Sequence, residues 1–215
     1  MTSGKKRFLL TSLLLLPLAC LAAPTPDNTD ARALVASLKR PAPARTPFAE
    51  ARFMKVLDKP LVVSGELSWL GGDRLERRVD KPAKEVSTIA DGEVTQERDG
   101  RKPRTFSLKR APQLKILLDS FVALLGGDAS RLDDSFDVHL GRDADRWALT
   151  LTPRDARLVK QIASIQVYGS GNQPRCMRMN EADGDTSIDM LGELATHMPA
   201  EPKLEAVIAQ CGGAM

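Results

Sequence analysis

The chain has 215 residues, of which 42% are hydrophobic and only 4% aromatic, and this predicts a single domain with a largely aliphatic core. Its formal net charge of +3 depends on three basic residues near the start, Lys5, Lys6 and Arg7. Without those three, 28 basic residues face 28 acidic ones. This balance argues against a nucleic-acid partner.

The first 22 residues are typical of a signal peptide. The three basic residues precede an apolar run over 8–19, which is too short to span a bilayer but long enough for a signal-peptide core. We expect cleavage before Ala23, so that residues 23–215 form one domain. The alternative is a lipoprotein cleavage site at 16–20 with Cys20 lipidated. Pro17 and Leu18 fit that motif poorly, so a soluble mature protein is favoured.

The mature chain predicts a mainly β fold with three helices. Residues 23–45 contain a leader and a helix that starts near Asn28 or Thr29 and stops before Pro41. From Phe48 the hydrophobic period changes to two, which indicates about ten short strands in a meander, the first over 48–57. One helix, over 112–125, interrupts the strands, and another, over 202–211, follows them. Strands in this number suggest a barrel or a strongly curved sheet.

The helix over 112–125 carries apolar residues on more than one side. Its main stripe is formed by Leu114, Leu117, Leu118 and Phe121, and Ile116 widens the apolar surface beyond what a one-sided helix needs. Such a helix can fill an ordinary core. It can also act as a lid over a cavity whose aliphatic lining suits acyl chains. The pattern alone leaves both interpretations open.

The sequence offers little for catalysis or for binding a metal. Its two histidines, His139 and His197, lack the spacing of a zinc site, and no nucleophile elbow or phosphate-binding glycine loop is present. We therefore expect no enzyme activity, no metal and no cofactor. Two cysteines remain in the mature chain, Cys176 and Cys211. They could be buried small hydrophobes or form a disulfide, and we favour the disulfide.

The order of several short motifs resembles that of a known family. The motifs are F-x-E-x-R at 48–52, S-G-x-L-x-W at 64–69, D-R-L-E-R-R at 73–78, G-D at 127–128, W-x-L-x-L-x-P at 147–153 and D-G-D-x-S at 183–187. Together they are similar to the periplasmic outer-membrane lipoprotein carriers, the LolA-like proteins, and most similar to a branch associated with aryl-polyene pigment gene clusters. The resemblance covers residues 47–192.

This resemblance implies a fold, a function and a set of partners. The fold is an unclosed antiparallel β-barrel whose helices form a lid over a hydrophobic cavity. The function is a periplasmic carrier that accepts an acylated cargo from an inner-membrane donor and passes it to an outer-membrane acceptor, and we expect a monomer. The implied cavity lining comprises Val63, Leu67, Trp69, Leu75 and Val79. The implied lid comprises Leu114, Leu117, Leu118 and Phe121.

Two features depart from this scheme. Where main-branch carriers have an Arg-Pro dipeptide that holds the lid shut, this chain has Gly71-Gly72. Arg77 has the same strand parity as Leu75 and Val79, which places a charge among the lining residues. The alternative function is an envelope interaction or sensor protein that uses the same fold with its cavity collapsed.

Overall fold

The computed structural model describes Met1 and residues 28–212, so the predicted signal peptide and its cleavage site lie outside the described residues. Its helices are α1 (Asn28–Ser37), α2 (Pro112–Gly126), α3 (Ser130–Asp133) and α4 (Leu204–Cys211). Its strands are β1 (Ala44–Phe53), β2 (Leu61–Gly71), β3 (Arg74–Lys81), β4 (Glu85–Ala90), β5 (Glu93–Arg98), β6 (Arg104–Ser107), β7 (Phe136–Asp143), β8 (Arg146–Pro153), β9 (Ile162–Ser170), β10 (Gln173–Glu181) and β11 (Thr186–Leu191).

The strands form one antiparallel sheet that does not close on itself. Their order is β6-β5-β4-β3-β2-β1-β11-β10-β9-β8-β7, which confirms the predicted mainly β fold with an unclosed sheet. The expected single meander is corrected in one respect. The sheet consists of two meanders that are joined at its centre, where the first strand pairs with the last.

Helix α2 connects the two edge strands of the sheet. It follows β6 after a short 3-10 turn, Leu108–Arg110, and it precedes α3 and β7. Pro112 stands at the start of α2, where a missing N–H costs nothing, and Gly127 ends it in the left-handed conformation at φ 71°. A helix of 15 residues is about 22 Å long.

Helices cover both faces of the sheet, and each face has its own apolar core. On the face that we call the inner face, α1 and α2 pack on the second meander around Trp147, Leu149 and Ile165, which are all fully buried. On the opposite, outer face, α4 packs on β8 to β11 around Cys176 and Met190. The buried residues of α1 are Ala31, Leu34 and Val35, and Leu38, directly after the helix, is buried as well.

The first strand differs from its predicted bounds. The sequence predicts a strand over 48–57, whereas β1 starts at Ala44, which pairs with Trp69, and ends at Phe53. A turn then forms, with the Leu57 N–H donating to the Met54 carbonyl at 3.0 Å. Alternation continues into this turn, but Val56 there is 85% exposed. Periodicity therefore could not locate the end of the strand.

No helix in the described part of the chain has the length and apolar character needed to cross a membrane.

Candidate functional site

The strand register places all five predicted lining residues on the inner face. Directly paired residues of neighbouring strands project from the same side of a sheet. Val63 pairs with Glu50, Leu67 with Arg77, and Trp69 with Leu75. Glu50 pairs in turn with Asp189, and Asp189 with Met177, which packs on the inner core. Val79 is buried and the other four residues are half-buried. Whether they line a cavity for cargo stays a prediction.

The register also shows how far this apolar strip extends. From Leu75 it continues through Ile89 of β4 and Val94 of β5 to Phe106 of β6. Val94 is buried, and Ile89 and Phe106 are half-buried. Sequence reasoning missed these three residues. Both parities of β4 carry an apolar residue, Val86 and Ile89, so alternation could not select a face before the pairing with β3 was known.

Helix α2 divides its apolar residues between two directions. Leu117 and Phe121 pack against the core of the second meander. Leu114 and Leu118 are half-buried but are not part of that core. Val122, four residues after Leu118, is 6% exposed. The wide apolar surface predicted for this helix therefore has two parts. One part contacts the second meander, and the other, with Leu114 and Leu118, is half-buried.

A group of charged residues lies on the inner face where the two meanders meet. The Glu50 side chain is 6% exposed, and its carboxylate accepts hydrogen bonds from Arg52 and Arg77. The Arg77 guanidinium carbon lies 4.7 Å from the centre of the Phe48 ring, in a cation–π contact. The inward position that strand parity indicates for Arg77 is thus found, and its charge is compensated by Glu50.

Two residues of β11 join this group. Asp189 pairs with Glu50, and Ser187 pairs with Arg52, so both project from the inner face. Asp189 is 8% exposed, and burial followed by the neighbouring Glu50 carboxylate raises its pKa to about 8. The carboxyl is therefore protonated at neutral pH. We call Glu50, Arg52, Arg77, Ser187 and Asp189 the central polar cluster.

The central polar cluster unites three of the sequence motifs. F-x-E-x-R contributes Glu50 and Arg52, D-R-L-E-R-R contributes Arg77, and D-G-D-x-S contributes Ser187. The first and the last of these motifs lie more than a hundred residues apart and meet only because β1 pairs with β11. The sequence predicts both strands but gives no sign that they are neighbours, so the cluster could not be assembled from it.

The turn between β2 and β3 contacts the helices that follow β6. Gly71 and Gly72 both have positive φ, at 97° and 55°. The next residue, Asp73, forms an exposed ion pair with Arg131 of α3 at 3.6 Å. The Trp69 indole N–H donates to the Gly72 carbonyl at 2.9 Å. The glycine pair stands at the family's Arg-Pro position. The residue that links this turn to α3 is the acidic residue after it, Asp73.

A small open pocket beside this turn has a polar lining. Its volume is about 280 Å³, and it lies between the turn and the helices α2 and α3. Its lining is mostly charged or hydroxyl-bearing: Asp73, Lys115, Ile116, Asp119, Ser120, Arg131, Asp134 and Ser135. Such a lining does not suit a hydrocarbon chain.

The remaining site predictions concern cysteines, histidines and metals. Cys176 and Cys211 form a disulfide with an S–S distance of 2.06 Å, which fastens α4 to β10 on the outer face. His139 and His197 are both exposed. Within residues 28–212, no cluster of three or more metal-binding side chains is found.

Comparison with known proteins relates this fold to a family. A search of curated proteins finds no match. Among solved structures, a LolA superfamily protein from Nitrosomonas europaea is 9% identical, covers 77% of this chain and 91% of its own, and has a TM-score of 0.40. The MucA/MucB complex of Pseudomonas aeruginosa gives 14% identity, 88% and 64% coverage and a TM-score of 0.40.

LprF from Mycobacterium bovis is 9% identical, with 81% and 97% coverage and a TM-score of 0.36. These distant structures are similar to the chain in fold alone. The family match is more extensive, because the family described as "outer membrane lipoprotein carrier protein LolA-like" matches residues 22–214. This match includes both meanders, the three longer helices and the central polar cluster, and the chain therefore belongs to the LolA-like family.

Proposed function

We propose that the protein is a non-catalytic periplasmic carrier that shields the acyl chain of a lipoprotein or other lipid on the inner face of its first meander. The observation that carries this proposal is the apolar strip of β2 to β6, where Leu67, Leu75 and Ile89 face inward but stay half-buried. Binding of a hydrocarbon to such an apolar surface is favourable, because it removes apolar area from water.

The free energy available from such binding is sufficient for a carrier. Burial contributes about 0.8 kcal/mol per methylene, so a chain of about a dozen carbons gains roughly 8–10 kcal/mol before entropic losses. Leu114 and Leu118 of α2 would cover the chain from the other side. Release to an acceptor would require movement of α2 or an acceptor with a better cavity, and the donor would stand at the inner membrane and the acceptor at the outer membrane.

The absence of catalysis in this proposal has its own support. His139 and His197 are exposed, and within the described residues neither forms a hydrogen bond with a serine or an acidic side chain. Cys176 and Cys211 are bonded to each other and so provide no thiolate. Membership of the branch associated with aryl-polyene pigment clusters stays a prediction that would narrow the cargo.

Uptake of a fluorescent fatty-acyl probe by the purified mature protein tests the proposal. We expect wild type to bind the probe, and Leu118→Glu to weaken binding by about tenfold or more because a carboxylate would face the chain. Val159→Glu is the matched control, since Val159 is 49% exposed and should tolerate the charge.

Two results would contradict the proposal. If wild type takes up no probe, the carrier function fails, and the alternative of a lipid-free interaction protein is favoured. If Leu118→Glu binds as wild type does, α2 is not the lid. Circular dichroism of both variants verifies that the sheet is intact.

A further inference from the structure

Burial of a hydrocarbon chain alone gives the central polar cluster no role. The cluster stands directly beside the apolar strip, because Val63 pairs with Glu50 and Leu67 pairs with Arg77. A carrier that buried only hydrocarbon would gain nothing from charges at this place, since taking charged groups out of water costs free energy. The cluster therefore requires an explanation in terms of a polar ligand.

The hydrogen-bonding capacity of the cluster is incompletely used. The Ser187 hydroxyl is buried and makes no hydrogen bond within the described residues. The Asp189 carboxyl on the same strand is more than nine-tenths buried. Buried polar groups without a partner are rare in proteins and call for a specific explanation. Both project from the inner face beside Arg52 and Glu50.

The groups that remain free are predominantly donors. Glu50 is the acceptor for both arginines, which leaves most of their guanidinium N–H groups unused. The Arg52 side chain is 45% exposed and that of Arg77 is 28% exposed, so a ligand can reach them. Protonated Asp189 and Ser187 add two hydroxyl donors. A group that offers several acceptor oxygens matches this arrangement.

The charge of the cluster favours a monoanion. With Asp189 protonated, Arg52 and Arg77 carry two positive charges against the single negative charge of Glu50. Glu181, at the end of β10, raises the pKa of Arg52 less than Glu50 does. One surplus positive charge suits a carboxylate, which the planar guanidinium can bind through two parallel hydrogen bonds.

We propose that the central polar cluster is a headgroup subsite that binds the carboxylate of an amphiphile whose hydrocarbon chain lies along the apolar strip. This inference rests on the proposed carrier function and specifies the chemical class of the ligand. Arg52 supplies the bidentate contact, Arg77 is held in place by Phe48 and Glu50, and Ser187 and Asp189 donate to the remaining lone pairs. The subsite fixes which end of the cargo lies at the junction of the two meanders.

Binding of hexadecanoic acid and of its methyl ester to the mature protein, measured at pH 7 by titration calorimetry, tests the proposal. The two ligands share a hydrocarbon chain and differ only in the charge of the head. Wild type should bind the acid about tenfold more tightly than the ester. In Arg52→Gln the affinity for the acid should fall to that for the ester, while the ester affinity stays unchanged and reports an intact fold.

Arg45→Gln is the matched control. Arg45 lies on the same strand and pairs with Glu66 at 3.3 Å, but its register partner Ser68 places it on the outer face. It should keep the full preference for the acid. Ser187→Ala, a second variant of the subsite, should lower the affinity for the acid by about threefold to tenfold through the loss of one hydrogen bond.

The outcomes separate this inference from the proposed function. Equal binding of acid and ester by wild type, or an acid preference that survives Arg52→Gln, would overturn the headgroup subsite and leave the carrier function standing. Tighter binding of hexadecyl phosphate than of the acid would overturn the assignment to a carboxylate. If neither the acid nor the ester binds, the carrier function and the inference fail together.

Dependence on pH provides an independent readout. The groups facing Asp189 are Glu50 and Arg52 of β1 and Arg77 of β3. Because Asp189 loses its proton as the pH rises through about 8, its new negative charge should repel the bound carboxylate. The preference for the acid should therefore decline between pH 7 and 9, while binding of the ester stays constant. A preference that does not change over this range would contradict the role given to Asp189.

Discussion

The two meanders of the sheet differ in how their inner faces are covered. In the second meander, α1 and α2 bury Trp147, Leu149 and Leu151 completely. In the first meander, the equivalent face carries Leu67 and Leu75, which stay half-buried. Both meanders contribute apolar residues to the inner face. The chain thus covers the inner face of one half of its sheet completely and leaves Leu67 and Leu75 of the other half partly exposed.

The contrast separates two roles that alternation alone cannot distinguish. An inward apolar residue in the second meander contributes mainly to stability, because its contacts are with the protein itself. An inward apolar residue in the first meander should contribute mainly to binding. Substitutions at matched positions of the two halves therefore test whether these roles differ.

The largest difference is expected between the two tryptophans. Trp147 is fully buried, and its indole N–H donates to the Gly171 carbonyl at 2.8 Å, so Trp147→Ala should reduce the free energy of unfolding by about 3–5 kcal/mol. Trp69→Ala, on the half-buried strip, should cost about 1 kcal/mol. Denaturation in urea measures both. Equal losses would show that the two halves are packed alike.

An effect that depends on pH is expected at the boundary between the halves. The folded protein holds the proton of Asp189 up to a pKa of about 8, whereas an unfolded aspartate loses it near 3.8. Over that window the unfolded chain binds fewer protons than the folded protein, so the free energy of unfolding falls as the pH rises.

Asp189→Asn should remove this contribution, so that the variant gains stability relative to wild type between pH 5 and 8. Thermal unfolding over a series of pH values measures the difference, and Asp185→Asn, at a half-buried position on the preceding turn, is the control. A constant difference between wild type and Asp189→Asn across the series would mean that Asp189 is ionised throughout.

The smallest effect is expected for the ion pair that links the halves at the surface. Asp73 and Arg131 are exposed and 3.6 Å apart, so Asp73→Asn should change the free energy of unfolding by less than about 1 kcal/mol. Urea denaturation at low and high salt checks this value. A loss of several kcal/mol would indicate that the turn after β2 fastens the helices firmly to the first meander.

The sequence predicts the elements of this fold better than their arrangement. Alternation identifies the strands, and the stripe of α2 together with Gly127 identifies the central helix, because these signals are local. The pairing of β1 with β11 is not local, since it depends on contacts between residues at opposite ends of the chain. No periodicity or turn motif in the sequence indicates that β1 pairs with β11.

The same limit explains which part of the candidate site could be predicted. Val63, Leu67, Trp69, Leu75 and Val79 belong to one hairpin, so their common face follows from parity and a single turn. Glu50 and Asp189 come from strands that are distant in sequence. A polar residue that alternates with Ala49, Ala51 or Ile188 is typical of the solvent-facing side of a strand. Both faces of β1 are in fact covered, and a two-sided strand does not follow the rule of polar residues outside.

The central claim is that an acyl chain binds on the first meander and not within the second. The chain has two tryptophans, one in each half, and they can report on this difference. A fatty acid that carries a bromine quencher on its chain should quench Trp69 fluorescence in the Trp147→Phe variant and leave Trp147 fluorescence unchanged in the Trp69→Phe variant. Quenching of Trp147 alone, or of neither tryptophan at saturating ligand, would contradict the claim.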